Sequence, residues 1–365
     1  IGSAESRSFV EIGSTRREYA SHVRDHAAAV RECLEHLADP QTGCLQSAGE
    51  VAAIGFKAVH GGRFSGVQRV TPEVLAEMEG MRDVAPAHNP PYVAAMRLLS
   101  EKLPEIPLVA AFETGFHQTI PQRHKHYAIP WQWADEHLVR RWGFHGASHR
   151  YIAGRTAELL GRTDLRIISC HLGGSNSLCA IRAGESLANS MGMSPQSGLP
   201  QNNRVGGFDP FALPVLLERT GKTLRQLLDE MANQGGLLGI SGVSGDVRDL
   251  EAAAAQGNAR AELALELFAT GIRDYLGAYL VELGGADAIV FTGGIGENSI
   301  RVRRDVCRQL DGLGIVLDEA ANTNSAQHGE RPIHDAASRT QIWVIPTNEE
   351  IVVARQAKQL LENGG

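Results

Sequence analysis

Aromatic residues are scarce in this chain, at 5% of 365. No apolar run reaches the roughly 18 residues that a membrane-spanning helix needs, so no membrane partner is expected. A basic block is missing too. Lys and Arg number 35 against 42 Asp and Glu, a net charge of −7. That balance disfavours nucleic acid and anionic membrane surfaces as partners. An anionic substrate would need a local cluster of Arg, Lys and His instead. The five cysteines (Cys33, Cys44, Cys170, Cys179 and Cys307) are odd in number and lack metal-ligand spacing. They read as reduced thiols, and the expected compartment is the cytoplasm. Low-complexity tracts and short-period repeats are also lacking.

What is present is an ordinary globular composition, with 43% hydrophobic and 21% charged residues. At roughly 100–200 residues per domain, the length suggests two domains. Helical periodicity marks 22–38, 71–81, a segment opened by Pro90-Pro91, one or two helices over 211–228, a long helix over 259–284 and a terminal one over 348–362. Apolar strand-like runs fall at 51–59, 106–112, 165–172, 177–181, 288–292 and 341–346. Alternating strands and helices make the class α/β. Glycine-rich turns repeatedly follow strand ends, where open α/β sheets bind ligands.

Six polar clusters could carry chemistry, and each also has an ordinary structural reading. Glu113 directly follows the 106–112 strand, ahead of Thr114 to Thr119; it is a site carboxylate or a solvated acid. Arg140 to Arg150 packs His145, His149 and three arginines around two glycines, an anion site or a basic surface turn. His171-Leu172-Gly173-Gly174-Ser175-Asn176-Ser177 could present backbone N–H groups to phosphate or be a plain hairpin turn. Asp246-Val247-Arg248 could hold a nucleoside or cap a helix. Phe291 to Ser299, with Gly293-Gly294-Ile295-Gly296-Glu297-Asn298, is a strand followed by a nucleotide-type turn. Thr347-Asn348-Glu349-Glu350 places acids at a helix start, stabilised by the dipole or serving Mg²⁺.

In this order the strings resemble the acetate kinase family. The match covers Val59-His60-Gly61-Gly62, His88-Asn89-Pro90, Phe116-His117-Gln118-Thr119, Gly143-Phe144-His145-Gly146 with Ser148-His149, His171-Leu172-Gly173, Ser190-Met191-Gly192, Gly242-Val243-Ser244, Gly293 to Asn298 and Thr347 to Glu350. It runs from about residue 50 to the C-terminus. The resemblance implies two domains of related ribonuclease-H-like topology, as in actin, heat-shock ATPases and sugar kinases, with an interdomain cleft. It assigns 1–113 plus 351–365 to the first and 114–350 to the second, and it implies a homodimer. It implies reversible phosphorylation of acetate or a similar short-chain carboxylate by ATP, with Mg²⁺. Catalysis would fall to Glu113, His145 and Arg204, and metal binding to Glu349. Lys57 would bind the substrate anion, with Val59, Ala87, Phe144 and Pro195 lining the acyl pocket. The nucleotide would lie against His171, Leu172, Gly173, Gly174 and Ser175, against Asp246, Val247 and Arg248, and against Gly294, Ile295, Gly296, Glu297 and Asn298.

A carboxylate nucleophile is ionised at pH 7, so positioning and charge stabilisation should dominate catalysis. The sequence departs from the family pattern inside the expected site. Lys57 replaces an Arg, Glu113 an Asp, Gly174 an Asn, and Asn203-Arg204-Val205-Gly206-Gly207 a Thr-Arg-Ser-Gly-Asp run. Ala87 replaces a Leu, which suggests a roomier acyl pocket and a preference for propionate. One methylene is worth about 1–3 kcal/mol there. The family's opening strand and phosphate-contacting loop have no counterpart after Ile1, so roughly 30–40 preceding residues are expected. The alternatives are a butyrate-type kinase and a divergent nucleotide-binding member without catalysis.

Overall fold

The expected long helix forms as Ala259–Leu283, and its sequence explains both its ends and its buried face. Asn258 caps the start by accepting from Arg260 N and Ala261 N, and Gly284 closes the end at φ 69°. Ala261, Ala264, Leu265, Phe268, Ile272 and Leu276 recur at helical spacing and are buried. That stripe lies against a six-stranded sheet, on strands β6 (Arg166–Leu172) and β7 (Asn176–Arg182).

In this computed structural model residues 6–21, 23, 25–86, 88–324 and 329–363 are described. They divide into two compact units, 1–112 with 353–365, and 113–352. The first unit opens with a hairpin of β1 (Ser6–Ile12) and β2 (Thr15–Ser21). A sheet of β3 (Ile54–Ala58), β4 (Val67–Arg69) and β5 (Leu108–Phe112) follows, with β3 parallel to β5. Helices His26–Leu37, Pro72–Gly80 and Asn89–Lys102 and most of the terminal helix Glu349–Asn363 belong to it as well, with a core that includes Met78, Val93, Met96, Leu99 and Phe112.

The larger sheet belongs to the second unit and adds β8 (Glu185–Asn189), β9 (Ala288–Thr292), β10 (Arg331–Pro332) and β11 (Gln341–Val344). The order is β10-β11-β9-β6-β7-β8, with β11, β9 and β6 parallel. Residues alternate faces along each strand. Ile168, Cys170, Leu172, Ile289 and Phe291 join the core containing the long helix. Ile167, Cys179, Ile181, Ala288 and Val290 join a second core with Ile152 and Ala153 of helix Gly146–Leu160. Cover on both faces is why these strands read as nearly unbroken apolar runs. On the second face, Ser169 and Ser177 continue the same odd-numbered rows and carry hydroxyls inward. All five cysteines are free thiols, with Cys170, Cys179 and Cys307 buried.

Candidate active site

In the second unit, the polar side chains gather where β6 and β9 end. His171 pairs with Thr292 across these parallel strands; β6 runs into a glycine turn, and β9 runs into the short helix Gly293–Asn298 where the sequence suggested a turn. Gly293 has φ +77°, and a Cβ there would stand 2.6 Å from the Leu172 carbonyl oxygen, so no other residue fits. A Cβ on Gly173 would lie 3.9 Å from Gly294 N. The segments 171–175 and 294–298 are thus neighbours. Leu172 is fully buried, so only its backbone faces this region.

The turn after β6 is tied to the loop that carries Arg204. Gly173 N donates to Asn176 Oδ1 at 2.9 Å, and Asn176 N donates to Gln201 Oε1 at 2.6 Å. Gln201 Nε2 returns a bond to the Asn176 carbonyl at 3.3 Å. Arg204 then donates through Nη1 to Ser175 Oγ at 3.3 Å and to the Pro195 carbonyl at 3.4 Å. Desolvation pulls its pKa below the usual guanidinium value, although a charge remains at neutral pH. Asn202 Nδ2 stands 4.0 Å from where a Cβ on Gly174 would be. An amide thus reaches the position that Gly174 leaves without a side chain.

A histidine cluster adjoins this turn. His145 precedes helix Gly146–Leu160 in the left-handed region, at φ +57°. Glycines on either side make that possible. A Cβ on Gly143 would meet His117 Cγ at 2.7 Å, and one on Gly146 would meet the Glu113 carbonyl oxygen at 2.1 Å. His145 Nδ1 lies 2.8 Å from Ser177 Oγ, and its ring stacks on His171 with centroids 4.2 Å apart. His171 Nδ1 is 2.8 Å from Ser148 Oγ.

Behind them, His117 Nε2 donates to the Phe144 carbonyl at 2.8 Å, because a carbonyl only accepts. Its Nδ1 therefore accepts from Ser186 Oγ, also at 2.8 Å. Burial pushes the His117 pKa down to about 4; the bond to Phe144 opposes this, and the Arg150 charge adds to it. His149 is also fully buried and held well below the imidazole range, chiefly by desolvation.

Residues 140–150, which the sequence leaves open as an anion site or a basic surface turn, divide in the structure. The three arginines do not converge. Arg140 lies over Trp142 at 4.0 Å, Arg141 over Tyr127 at 4.7 Å and Arg150 over Phe116 at 5.1 Å. His149 points into the core. Of that stretch, half-buried His145 stacks on His171 where β6 runs into its glycine turn.

The other expected positions fall as follows. Glu113 is buried at the start of the second unit. Phe144 and Pro195 are buried beside His145 and Arg204 respectively. Asp246 caps helix Val247–Ala255 by accepting from Arg248 N at 2.9 Å, and it pairs with Arg248 Nη2 at 2.6 Å. That pairing lowers its pKa. Val247 is a core residue, so it offers only backbone. In the short helix Gly293–Asn298 after β9, Glu297 is half-buried and burial raises its pKa, against the effect of the Gly293 N–H and the Arg331 charge. Asn298 Nδ2 bonds to the Gly294 carbonyl at 2.8 Å. Glu349 opens helix Glu349–Asn363.

In the first unit, Lys57 is exposed on β3, while Val59 and His60 are buried just beyond it. Asn89 clamps that loop, donating to the His60 carbonyl and to the Met78 carbonyl, both at 2.8 Å. Ala87 lies outside the described residues. Among the described residues no group of three His, Cys, Asp or Glu side chains is placed to hold a metal.

A sequence model described as the acetokinase family matches residues 1–355, so the likeness reaches further towards the N-terminus than residue 50. The chain is 43% identical to a propionate kinase of Citrobacter rodentium, over 99% of this chain and 89% of that protein. It is 40% identical to an acetate kinase of Bacillus subtilis, over 99% and 91%. The fold matches the crystal structure of Porphyromonas gingivalis acetate kinase with a TM-score of 0.87 at 37% identity, covering 99% of this chain and 91% of that one. It matches a propionate kinase from Francisella tularensis with a TM-score of 0.85 at 32% identity, covering 93% and 86%.

Proposed function

The chain belongs to the acetokinase family, and from that membership we propose how its own residues divide the work of phosphorylating a short-chain carboxylate with ATP. The observation that carries the proposal is the meeting of Arg204, Ser175, His145 and His171 beside the glycine turn after β6 and the glycine-rich helix start after β9, at neighbouring strand ends. The segments 171–175 and 294–298 hold the nucleotide phosphates through backbone N–H groups. Asp246 to Arg248 contribute at the nucleoside.

The acid oxygen attacks the terminal phosphorus of ATP. The new O–P bond forms in line with the breaking bond, whose electrons leave on ADP. No proton must be removed from the nucleophile. Arg204 donates to the transferring phosphoryl oxygens, and its desolvated setting strengthens that interaction. His145 donates from the other side. Lys57 holds the carboxylate as a point charge, and Val59, Ala87, Phe144 and Pro195 bound the acyl chain.

Mg²⁺ suits this donor set. It binds through one or two carboxylates together with substrate phosphates and water, and needs no three-residue protein cage. Glu113 and Glu349 would hold it, and when bound it offsets phosphate charge. A homodimer in the cytoplasm is part of the same reading.

The test is phosphoryl transfer from ATP and Mg²⁺ to acetate, propionate and butyrate, with the acyl phosphate trapped as a hydroxamate. Product with acetate or propionate is expected, and a higher kcat/KM for propionate would support the Ala87 pocket. ATP binding without acyl phosphate from any acid would overturn the proposal in favour of a non-catalytic member.

A further inference from the structure

Ser177 stands between two imidazoles. Its Oγ is 2.8 Å from His145 Nδ1 and 2.9 Å from His149 Nε2. On the far side of that second ring, His149 Nδ1 is 2.9 Å from Ser169 Oγ. Ser169, Ser177 and His149 have no exposure, and none of the roles above uses them. Their placement follows from strand alternation. Ser169 of β6 and Ser177 of β7 face helix Gly146–Leu160, and His149 is one turn beyond His145 on that helix.

The hydrogens in this chain run outward, inward, or from both imidazoles onto Ser177, and the last leaves the buried Ser177 hydrogen without an acceptor among the described residues. A hydroxyl donates one hydrogen, and a neutral imidazole carries one N–H. Burial keeps His149 neutral, and the nearby His117 and His171 act in the same sense. In the outward direction, Ser169 donates to His149 Nδ1, His149 Nε2 donates to Ser177, and Ser177 donates to His145 Nδ1. Every buried hydrogen is then used. In the inward direction, the Ser169 hydrogen has no acceptor among the described residues, and an unpaired buried donor is disfavoured. The titratable groups around the chain are His171 of β6, stacked on His145, His117 behind His149, and Glu113, whose carbonyl abuts Gly146.

We propose that Ser177 and His149 are positioning residues that hold His145 as a neutral imidazole with its proton on Nε2. His145 then meets the phosphoryl group as a fixed hydrogen-bond donor rather than a titrating cation. This rests on the reading that His145 faces the transferring group. It differs from that reading in naming the tautomer and the residues that impose it.

The tautomer is read by NMR of the full-length protein labelled with ¹⁵N-histidine at neutral pH, with the His145 signals identified by their loss in His145→Gln. Nε2 protonated and Nδ1 bare but hydrogen-bonded is the expected result. Nδ1 protonated, alone or together with Nε2, overturns the proposal without any variant having to fold. Ser177→Ala should lose the single tautomer and lower kcat by about 10- to 100-fold, the scale seen when partners that orient ligating histidines are removed, with the KM for ATP little changed. Ser177→Thr keeps the hydroxyl and should restore both the signal and most of kcat. Full kcat in Ser177→Ala would overturn the positioning role. Full activity in His145→Ala would instead remove His145 from the reaction, whatever its tautomer.

Discussion

Two glycines on one helix offer a matched experiment, because the structure gives opposite answers for an added methyl group. At Gly146, the first residue of Gly146–Leu160, a Cβ would sit 2.1 Å from the Glu113 carbonyl oxygen and 3.0 Å from its carbon. A carbon–oxygen contact needs roughly a further 1 Å, by comparison with the 3.3–3.6 Å of weak C–H···O contacts. The obstacle is backbone on one side and a helix start on the other, so neither yields by a rotamer change. Either the helix start or the Glu113 segment must move, and both adjoin residues proposed to act in phosphoryl transfer. A displacement of about 1 Å costs on the order of 10²-fold in rate where catalysis depends on positioning. Gly146→Ala should therefore lower kcat by about 10²-fold. Gly154, on the same helix, is exposed and has nothing within 4 Å of its would-be Cβ. Gly154→Ala should leave kcat unchanged and stabilise the protein by about 0.5–1 kcal/mol, through helix propensity and a less flexible unfolded chain. Steady-state kinetics and thermal melting of the pair decide the matter. Gly146→Ala with native kcat would refute the close approach that positions His145 and Glu113.

Two further outcomes are expected. Arg204→Ala should lower kcat by about 10³-fold or more, as loss of an arginine finger does, with little change in the KM for ATP. Retention of most activity would remove Arg204 from the phosphoryl-transfer step. For His117 the native pKa of about 4 lies below the unfolded value of 6.5, so the unfolded chain binds more protons between the two. Its contribution is complete above pH 6.5 and declines as the pH falls towards 4. From pH 7 to pH 5 the loss is on the order of 2 kcal/mol. Urea titrations at those two pH values should show that loss in the native protein and a smaller one in His117→Gln. Equal slopes in the two proteins would show that His117 is not the group responsible.

The parts legible in the sequence are those whose signal is local. The helix Ala259–Leu283 announced itself by periodicity, and the glycine segments after β6 and β9 by strand-then-glycine order. The hairpin Ser6–Ser21 went unassigned because each face mixes polar with apolar residues, Arg17 and Thr15 with Val10 and Ile12 on one and Arg7, Glu11 and Glu18 with Phe9 on the other, so no clean alternation shows. β4 has only three residues, and β8, with Glu185, Ser186 and Asn189 among its five, offers no apolar run. At the candidate site, local reading left an anion site and a basic surface turn open over 140–150. A run of Arg and His looks like a phosphate cradle when only charge is counted. Folding instead lays each of those arginines over an aromatic ring and buries His149. The signal that could have separated His145 from His149 was the glycine on each side of Phe144-His145, which marks a backbone under steric constraint. Ser169 and Ser177 carried no signal of their own, since a lone serine in an apolar strand reads as a tolerated interruption. Their meaning comes from alternation, which turns both towards one helix, and from a hydrogen count that closes only when the proton of His145 is on Nε2. The residues proposed to touch substrate are thus readable as motifs. The residues proposed to set their protonation are readable only once the strands and the helix are in register.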